Sequence, residues 1–135
     1  MVTITGGCHC GAVRYEAEVD PRHVVICHCT DCQSLTGTAF RTTVGAARDV
    51  VRVTAGKARI YAKRGDSGRT RFMHFCDNCG SPLFTMGEGD DAATMGIRWG
   101  SIDDRALLEP QAQIWRQSAV DWLGRVDALP ARDGD

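Results

Sequence analysis

The residues best suited to chemistry in this sequence are its seven cysteines, which fall into three close groups. The groups are Cys8 and Cys10; Cys27, Cys29 and Cys32; and Cys76 and Cys79. Thiolates are strong ligands for soft and borderline metal ions, and two cysteines in one turn can reach the same ion. The odd number disfavours a disulfide framework, because one thiol would be left over. The spacing therefore predicts metal binding.

The first and last groups predict one closed metal site, here called the four-cysteine cluster. Zn²⁺ prefers four tetrahedral ligands, and two pairs of cysteines from distant parts of the chain supply four. Gly80 directly follows Cys79, where a metal-binding turn often needs a positive φ that glycine adopts without steric cost. Pairing Cys8 and Cys10 with Cys76 and Cys79 also leaves the third group intact. We expect these four cysteines to hold a structural zinc ion.

The remaining group, the cysteine triad of Cys27, Cys29 and Cys32, predicts a second and open metal site. A structural zinc has four protein ligands, whereas a catalytic zinc usually has three and leaves one position for water or substrate. Zinc held by three thiolates is a weak Lewis acid, because the sulfurs donate charge to the ion, and it suits a soft ligand such as a thiolate. The sequence thus indicates two zinc ions per chain and thiol chemistry at the second.

Three further side chains are candidates for a role at the triad. His28 and Asp31 lie within it, and either could ligate the metal or move a proton, although we expect Asp31 to cap the turn that follows. His74 lies two residues before Cys76 and is either a fourth ligand of the triad metal or an ordinary cross-strand histidine.

The elements that must position these residues are short β-strands. Residues 12–19 alternate apolar and charged side chains, which indicates a half-buried strand. Runs rich in Val, Ile, Thr and aromatic residues predict strands at residues 24–27, 39–44, 50–54, 59–62, 71–75, 83–86, 93–99 and 112–115. Helical turns are expected only at residues 103–108 and from residue 119 onward. We predict a mainly β fold, a small zinc-stapled domain of short antiparallel strands over residues 1–130, with a frayed tail over residues 131–135.

The overall composition limits the partners. In 135 residues, 16 Lys and Arg nearly balance 17 Asp and Glu, which disfavours nucleic acid and anionic membranes as partners. No run approaches the ~18–20 consecutive apolar residues of a membrane helix, and the first residues do not resemble a signal peptide, so we expect a cytoplasmic protein. A basic segment over residues 57–71 is either a binding surface for an anionic small molecule or a solvated hairpin.

Three segments of the sequence resemble the glutathione-dependent formaldehyde-activating enzyme family, also called CENP-V/GFA. They are GGCHCGAVRYE from Gly6, CHCTDC with the downstream TGTAF from Cys27, and FCDNCGSPL from Phe75. A weaker match is WGSIDD from Trp99. The sequence departs from the family at Gln113, where histidine is frequent, and at Arg105, where proline is frequent.

The resemblance implies a folded β-tent and assigns roles to the cysteines. The structural zinc would be held by Cys8, Cys10, Cys76 and Cys79, and the catalytic zinc by Cys27, Cys29 and Cys32. It also implies condensation of formaldehyde with glutathione to S-hydroxymethylglutathione, which is classed as a carbon–sulfur lyase activity. The partner would be glutathione or a related small thiol. Two other functions stay open: a non-catalytic zinc-stabilised binding module, and a redox or metal sensor that uses the cysteine triad.

Overall fold

The computed structural model describes residues 1–135 as ten β-strands, one α-helix and several short 3₁₀ helices. The strands are β1 (Val2–Gly7), β2 (Arg14–Val19), β3 (Val24–Cys27), β4 (Arg41–Ala47), β5 (Val51–Ala55), β6 (Arg59–Arg64), β7 (Thr70–Phe75), β8 (Pro82–Met86), β9 (Thr94–Arg98) and β10 (Ala112–Ile114). The α-helix α1 spans Thr30–Thr36. The 3₁₀ helices span Arg48–Val50, Gly89–Ala93, Trp99–Ser101, Arg105–Leu107, Arg116–Ser118 and Asp121–Ala128. The predicted mainly β fold is confirmed.

The strands form two sheets. The smaller sheet has the order β1-β2-β5, and the larger has the order β10-β3-β4-β9-β8-β7-β6. Neighbouring strands are antiparallel except for β10, which pairs parallel with β3. The prediction of antiparallel strands is wrong for β10. Parallel strands need a long connection. Between β3 and β10 the chain runs through β4 to β9, and the 3₁₀ turns after β9 then bring it back beside β3.

The core lies between the two sheets and contains one face of each. In the smaller sheet, Tyr15, Ala17 and Val19 alternate along β2 and are buried. In the larger sheet, Val44 and Phe84 come from the facing side, and the Phe84 ring lies edge-on to Tyr15 at 4.8 Å. Because side chains alternate along each strand, the residues between these core positions lie on the opposite face of the larger sheet, outside this core.

One strand and the α-helix are missing from the sequence prediction. Strand β1 was not predicted, because Gly6 and Gly7 end it and disguise its alternation. Helix α1 was not predicted because it has only seven residues, too few for a helical period, and because its N-cap is Cys29 rather than a residue of the usual capping types. Its C-terminal turn closes at Gly37, whose φ of 70° is left-handed.

The predicted helical turns at residues 103–108 and from residue 119 onward coincide with 3₁₀ helices at Arg105–Leu107 and Asp121–Ala128. The prediction that helical turns occur only there is wrong, because short 3₁₀ turns with no periodic pattern also form at Arg48–Val50, Gly89–Ala93, Trp99–Ser101 and Arg116–Ser118. Residues 131–135 contain no helix or strand and are exposed. The division into a domain over residues 1–130 and a frayed tail stays a prediction. None of the helices has both the length and the apolar character needed to cross a bilayer.

Candidate metal centres

The four-cysteine cluster forms where two loops meet. Cys8 and Cys10 lie between β1 and β2, and Cys76 and Cys79 lie between β7 and β8. All four sulfurs lie within 4.8 Å of one another, with Cys8 Sγ 3.6 Å from Cys10 Sγ and Cys10 Sγ 3.8 Å from Cys76 Sγ. A tetrahedral ion with metal–sulfur bonds of ~2.3 Å would place its sulfurs about 3.8 Å apart. The donor set therefore fits one four-coordinate metal ion.

The two loops of this cluster fold in the same way. In the first, the Cys8 N–H donates to the Val13 carbonyl and the Gly11 N–H donates to the Cys8 carbonyl, both at 3.1 Å. In the second, the Cys76 N–H donates to the Ser81 carbonyl at 3.0 Å and the Gly80 N–H donates to the Cys76 carbonyl at 2.8 Å. Gly11 and Gly80 have φ of 82° and 79°, which explains the glycine after each cysteine pair. Each loop is thus a tight turn that presents two sulfurs.

Hydrogen bonds to two of the four sulfurs favour thiolates in this cluster. The Val13 N–H donates to Cys8 Sγ at 3.2 Å. The Ser81 hydroxyl lies 3.2 Å from Cys79 Sγ, and this contact, followed by the N–H groups of Ser81 and Cys10, lowers the pKa of Cys79 to about 5. Because N–H and O–H donors stabilise the thiolate, less free energy is needed to release the thiol proton to solvent when a metal binds.

The cysteine triad forms at the junction of β3 and α1. Cys27 ends β3, Cys29 caps α1, and Cys32 lies in its first turn, so that the three sulfurs lie within 4.8 Å of one another. The Cys32 N–H donates to Cys29 Sγ at 3.2 Å. Burial, followed by the neighbouring thiols Cys29 and Cys27, raises the pKa of Cys32 to about 12. Three thiolates this close repel one another unless a cation neutralises them, which is what a metal ion would do.

The three polar candidates near the triad have different surroundings. The His28 ring is buried, with Nε2 2.8 Å from Gln113 Oε1 and Nδ1 without a partner. The Asp31 carboxylate is exposed and lies 2.7 Å from Lys63 Nζ. It does not cap the helix, since Cys29 does. His74 does not join the triad as a fourth ligand. It lies on the core side of β7 against Phe84, with ring centroids 6.1 Å apart.

Sequence reasoning missed two arginines beside the triad. Arg41 on β4 is directly opposite Cys27 on β3, and Arg98 on β9 is directly opposite Thr43 on β4. Opposed residues of antiparallel strands project from the same face, so Cys27, Arg41 and Arg98 share one face of the larger sheet. Both arginines are buried, at 6% and 8% exposure. Burial, with Arg41 as the next cause, lowers the pKa of Arg98 to about 9. Only the strand register reveals this arrangement.

Two cavities meet at these arginines. One of about 490 Å³ extends from the four-cysteine cluster along Trp99 to Arg105, and one of about 380 Å³ lies under Leu35 of α1 and Tyr61 of β6. Arg41 and Arg98 line both. A small organic ligand in either cavity would therefore lie beside both guanidinium groups.

Comparisons with known proteins agree with this architecture. The sequence model of the glutathione-dependent formaldehyde-activating enzyme family matches residues 3–118. No curated protein matches the chain. The crystal structure of a Rhodobacter sphaeroides protein, a Northeast Structural Genomics target, is similar with a TM-score of 0.63 and 22% sequence identity, over 82% of this chain and 99% of that chain. At this identity the likeness shows a shared fold.

Proposed function

Because this chain belongs to the glutathione-dependent formaldehyde-activating enzyme family, we propose that it is a zinc-dependent enzyme of the carbon–sulfur lyase type. Its substrates would be thiol–aldehyde adducts, with glutathione and formaldehyde forming S-hydroxymethylglutathione, or a related thiol adduct. A cytoplasmic location, where small thiols are kept reduced, is part of this proposal.

The observation that carries the proposal is that the triad offers three ligands and no fourth. The sulfurs of Cys27, Cys29 and Cys32 cluster without another histidine, cysteine or carboxylate among them. The four-cysteine cluster, in contrast, already supplies a complete tetrahedral set. We assign the structural zinc to the cluster and the catalytic zinc to the triad, with its fourth position left for the substrate sulfur.

The chemistry requires a thiolate near an aldehyde. A zinc ion held by Cys27, Cys29 and Cys32 would supply Lewis acidity that lowers the pKa of a substrate thiol. In the reaction the sulfur bonds to the aldehyde carbon, the π electrons of the carbonyl move to its oxygen, and the proton lost by the thiol ends on that oxygen. The reaction therefore neither consumes nor releases protons or electrons overall.

A side chain that carries this proton must be open to the substrate. The exposed Asp31 carboxylate, which is held by Lys63, meets that condition at the start of α1. The His28 ring is enclosed, and its Nε2 is engaged by Gln113. We therefore favour Asp31 over His28 as the group that relays the proton, and we place His28 among the residues that hold the triad loop in position.

The test is a metal count followed by a thiol titration. We expect native mass spectrometry to find two zinc ions per chain, and the cobalt-loaded protein to change its visible spectrum when glutathione adds a sulfur ligand. Cys32→Ser should bind one ion and show no change with glutathione. A glutathione analogue with serine in place of cysteine is the matched control ligand and should not change the spectrum.

Other outcomes would contradict the proposal. Glutathione binding that is undiminished in Cys32→Ser would exclude capture of the thiol by the triad metal. A chain that holds one ion even after zinc is added back would favour the binding module or the redox sensor.

A further inference from the structure

The larger sheet carries basic side chains and no acidic ones. Its seven strands contain Arg41, Arg59, Lys63, Arg64, Arg71 and Arg98, and none contains Asp or Glu. The chain as a whole has a net charge of −1, so this is a local concentration of positive charge rather than a property of the composition. Strand register decides which side of the sheet the charge occupies.

Most of this charge lies on the triad face. Arg98 reaches Met73 of β7, where its Nη2 lies 3.1 Å from Met73 Sδ, and Met73 is opposite Tyr61 of β6. Lys63 is two residues beyond Tyr61 and is opposite Arg71, so both share the same face. The basic segment noted in the sequence is therefore continuous with the arginines beside Cys27. Only Arg64 alternates to the other face.

Arg41 and Arg98 stand out because they are buried without a carboxylate. Neither forms an ion pair within the chain, whereas less buried arginines such as Arg14 and Arg69 do. Both point nitrogens at the weak acceptor Met73 Sδ, with Arg41 Nη1 at 3.8 Å, and Arg98 also donates to Thr43 Oγ1 at 2.8 Å. Arg41 Nε is buried and has no partner. Buried cations without an anion are costly, which indicates that a ligand supplies the anion.

The triad does not supply enough negative charge to match them. Three thiolates around a divalent ion have a net charge of −1, whereas two guanidinium groups have a charge of +2. Before a substrate binds, one positive charge would therefore be left over on this face of the sheet, and Arg41 Nε would still have no partner. Guanidinium groups bind carboxylates through paired N–H donors, and an unpartnered Nε is one of the donors such a pair uses.

We propose that Arg41 and Arg98 form a binding site for a carboxylate of the substrate, so that the enzyme selects thiols that carry one. This inference rests on the proposed function, because it places the carboxylate beside a sulfur held at the triad. A carboxylate on the arginines and a sulfur at the triad would fix two points of one small molecule across the same sheet face.

The experiment compares two thiols that differ only in whether they carry a carboxylate or a neutral amide. The zinc-loaded protein is titrated calorimetrically with 3-mercaptopropionate and with 3-mercaptopropionamide. We expect the carboxylate to bind at least ~10-fold more tightly, since charge-assisted hydrogen bonds of this kind are worth a factor of 10 or more. Arg41→Gln and Arg98→Gln should bring the ratio of the two affinities close to one. Arg64→Gln removes the same charge from the other face and should leave the ratio unchanged.

The comparison in the unmodified protein needs no variant, so the inference stays testable even if a buried arginine proves necessary for folding. Equal affinities for the two thiols would overturn it and leave the proposed thiol binding intact. If neither thiol binds, this inference is wrong, and the glutathione titration of the cobalt-loaded protein decides the proposed function separately. If the arginine variants lose zinc but keep the preference for the carboxylate, the guanidinium groups only balance the triad thiolates, and the inference is wrong.

Discussion

At the residue scale, identical cysteine side chains occupy two environments with different consequences. Cys76 is 1% exposed and belongs to the hydrophobic core as well as to the four-cysteine cluster. The triad lies at the end of a strand and the start of a short helix, and none of its cysteines belongs to that core. A metal at the first site would join loops that are distant in sequence, whereas a metal at the second would join residues of a single turn. The first site should therefore matter more for folding.

We predict that Cys76→Ser and Cys32→Ser differ in their effect on folding. Cys76→Ser should lose its structural ion and most of the folded protein. The apparent free energy of binding a structural zinc ion, about 10–16 kcal/mol in zinc-finger peptides, is also free energy of folding. Cys32→Ser should stay folded and lose only the second ion. Thermal denaturation by circular dichroism, beside a zinc count on each purified variant, checks both. If Cys32→Ser unfolds as readily as Cys76→Ser, the distinction between the two sites is wrong.

At the element scale, the positions of β4, β8 and β9 decide whether Arg98 reaches the triad face. Gly96 on β9 lies between Thr43 and Thr85, and an added Cβ would lie 2.7 Å from the Cγ2 atom of each. Threonine is branched at Cβ and cannot swing away easily. The absence of a side chain at Gly96 therefore allows the three strands to lie side by side.

We predict that Gly96→Ala destabilises the protein by about 1–3 kcal/mol, as overpacking in a tight interior does, and weakens the preference for a carboxylate thiol. Gly45 is the matched control, since it is opposite Gly96 on β4 and an added Cβ there would lie 3.7 Å from the nearest atom. Urea denaturation and the two-thiol titration of both variants check this. Equal stability of the two variants would show that the strands can separate at no cost.

At the scale of the whole molecule, Tyr15 connects parts that are distant in sequence. Its ring packs on Phe84 of the larger sheet, and its hydroxyl lies 2.7 Å from Ser101 Oγ. Burial is the main cause that raises the pKa of Tyr15 to about 12. The folded protein therefore keeps this phenol protonated at pH values where an unfolded chain, with an ordinary pKa near ~10, releases the proton.

The sign of the resulting pH dependence follows from that difference. Stability from the protonated phenol is fully present below pH ~10 and is lost as the pH rises toward the folded pKa, by about 1 kcal/mol at pH 11. We expect Tyr15→Phe to lose this part of the pH dependence, while its stability at neutral pH falls by about 0.5–1.5 kcal/mol with the lost hydrogen bond. Urea denaturation at pH 8, 10 and 11 measures both, with Tyr61→Phe as the exposed control. An unchanged alkaline slope in Tyr15→Phe would contradict the prediction.

The sequence by itself determined the cysteine groups, the family and most of the strands. Cysteines with only one or two residues between them lie close together in a turn, so their grouping is local information. The structure brings together the sulfurs of each expected set. Enrichment in β-branched residues is also local, which is why residues 24–27 were predicted with the bounds that β3 has. The family was recognisable because its motifs contain these same cysteines.

Tertiary structure alone decided what surrounds the triad. Arg41 and Arg98 are far from each other in sequence and meet Cys27 only through the registers of β3 with β4 and β4 with β9. The parallel pairing of β10 with β3, which brings Gln113 to His28, depends on the path of a long connection. Register and connection path are set by packing of the whole core rather than by any local pattern, because a slip of one residue would exchange the buried and open faces of a strand.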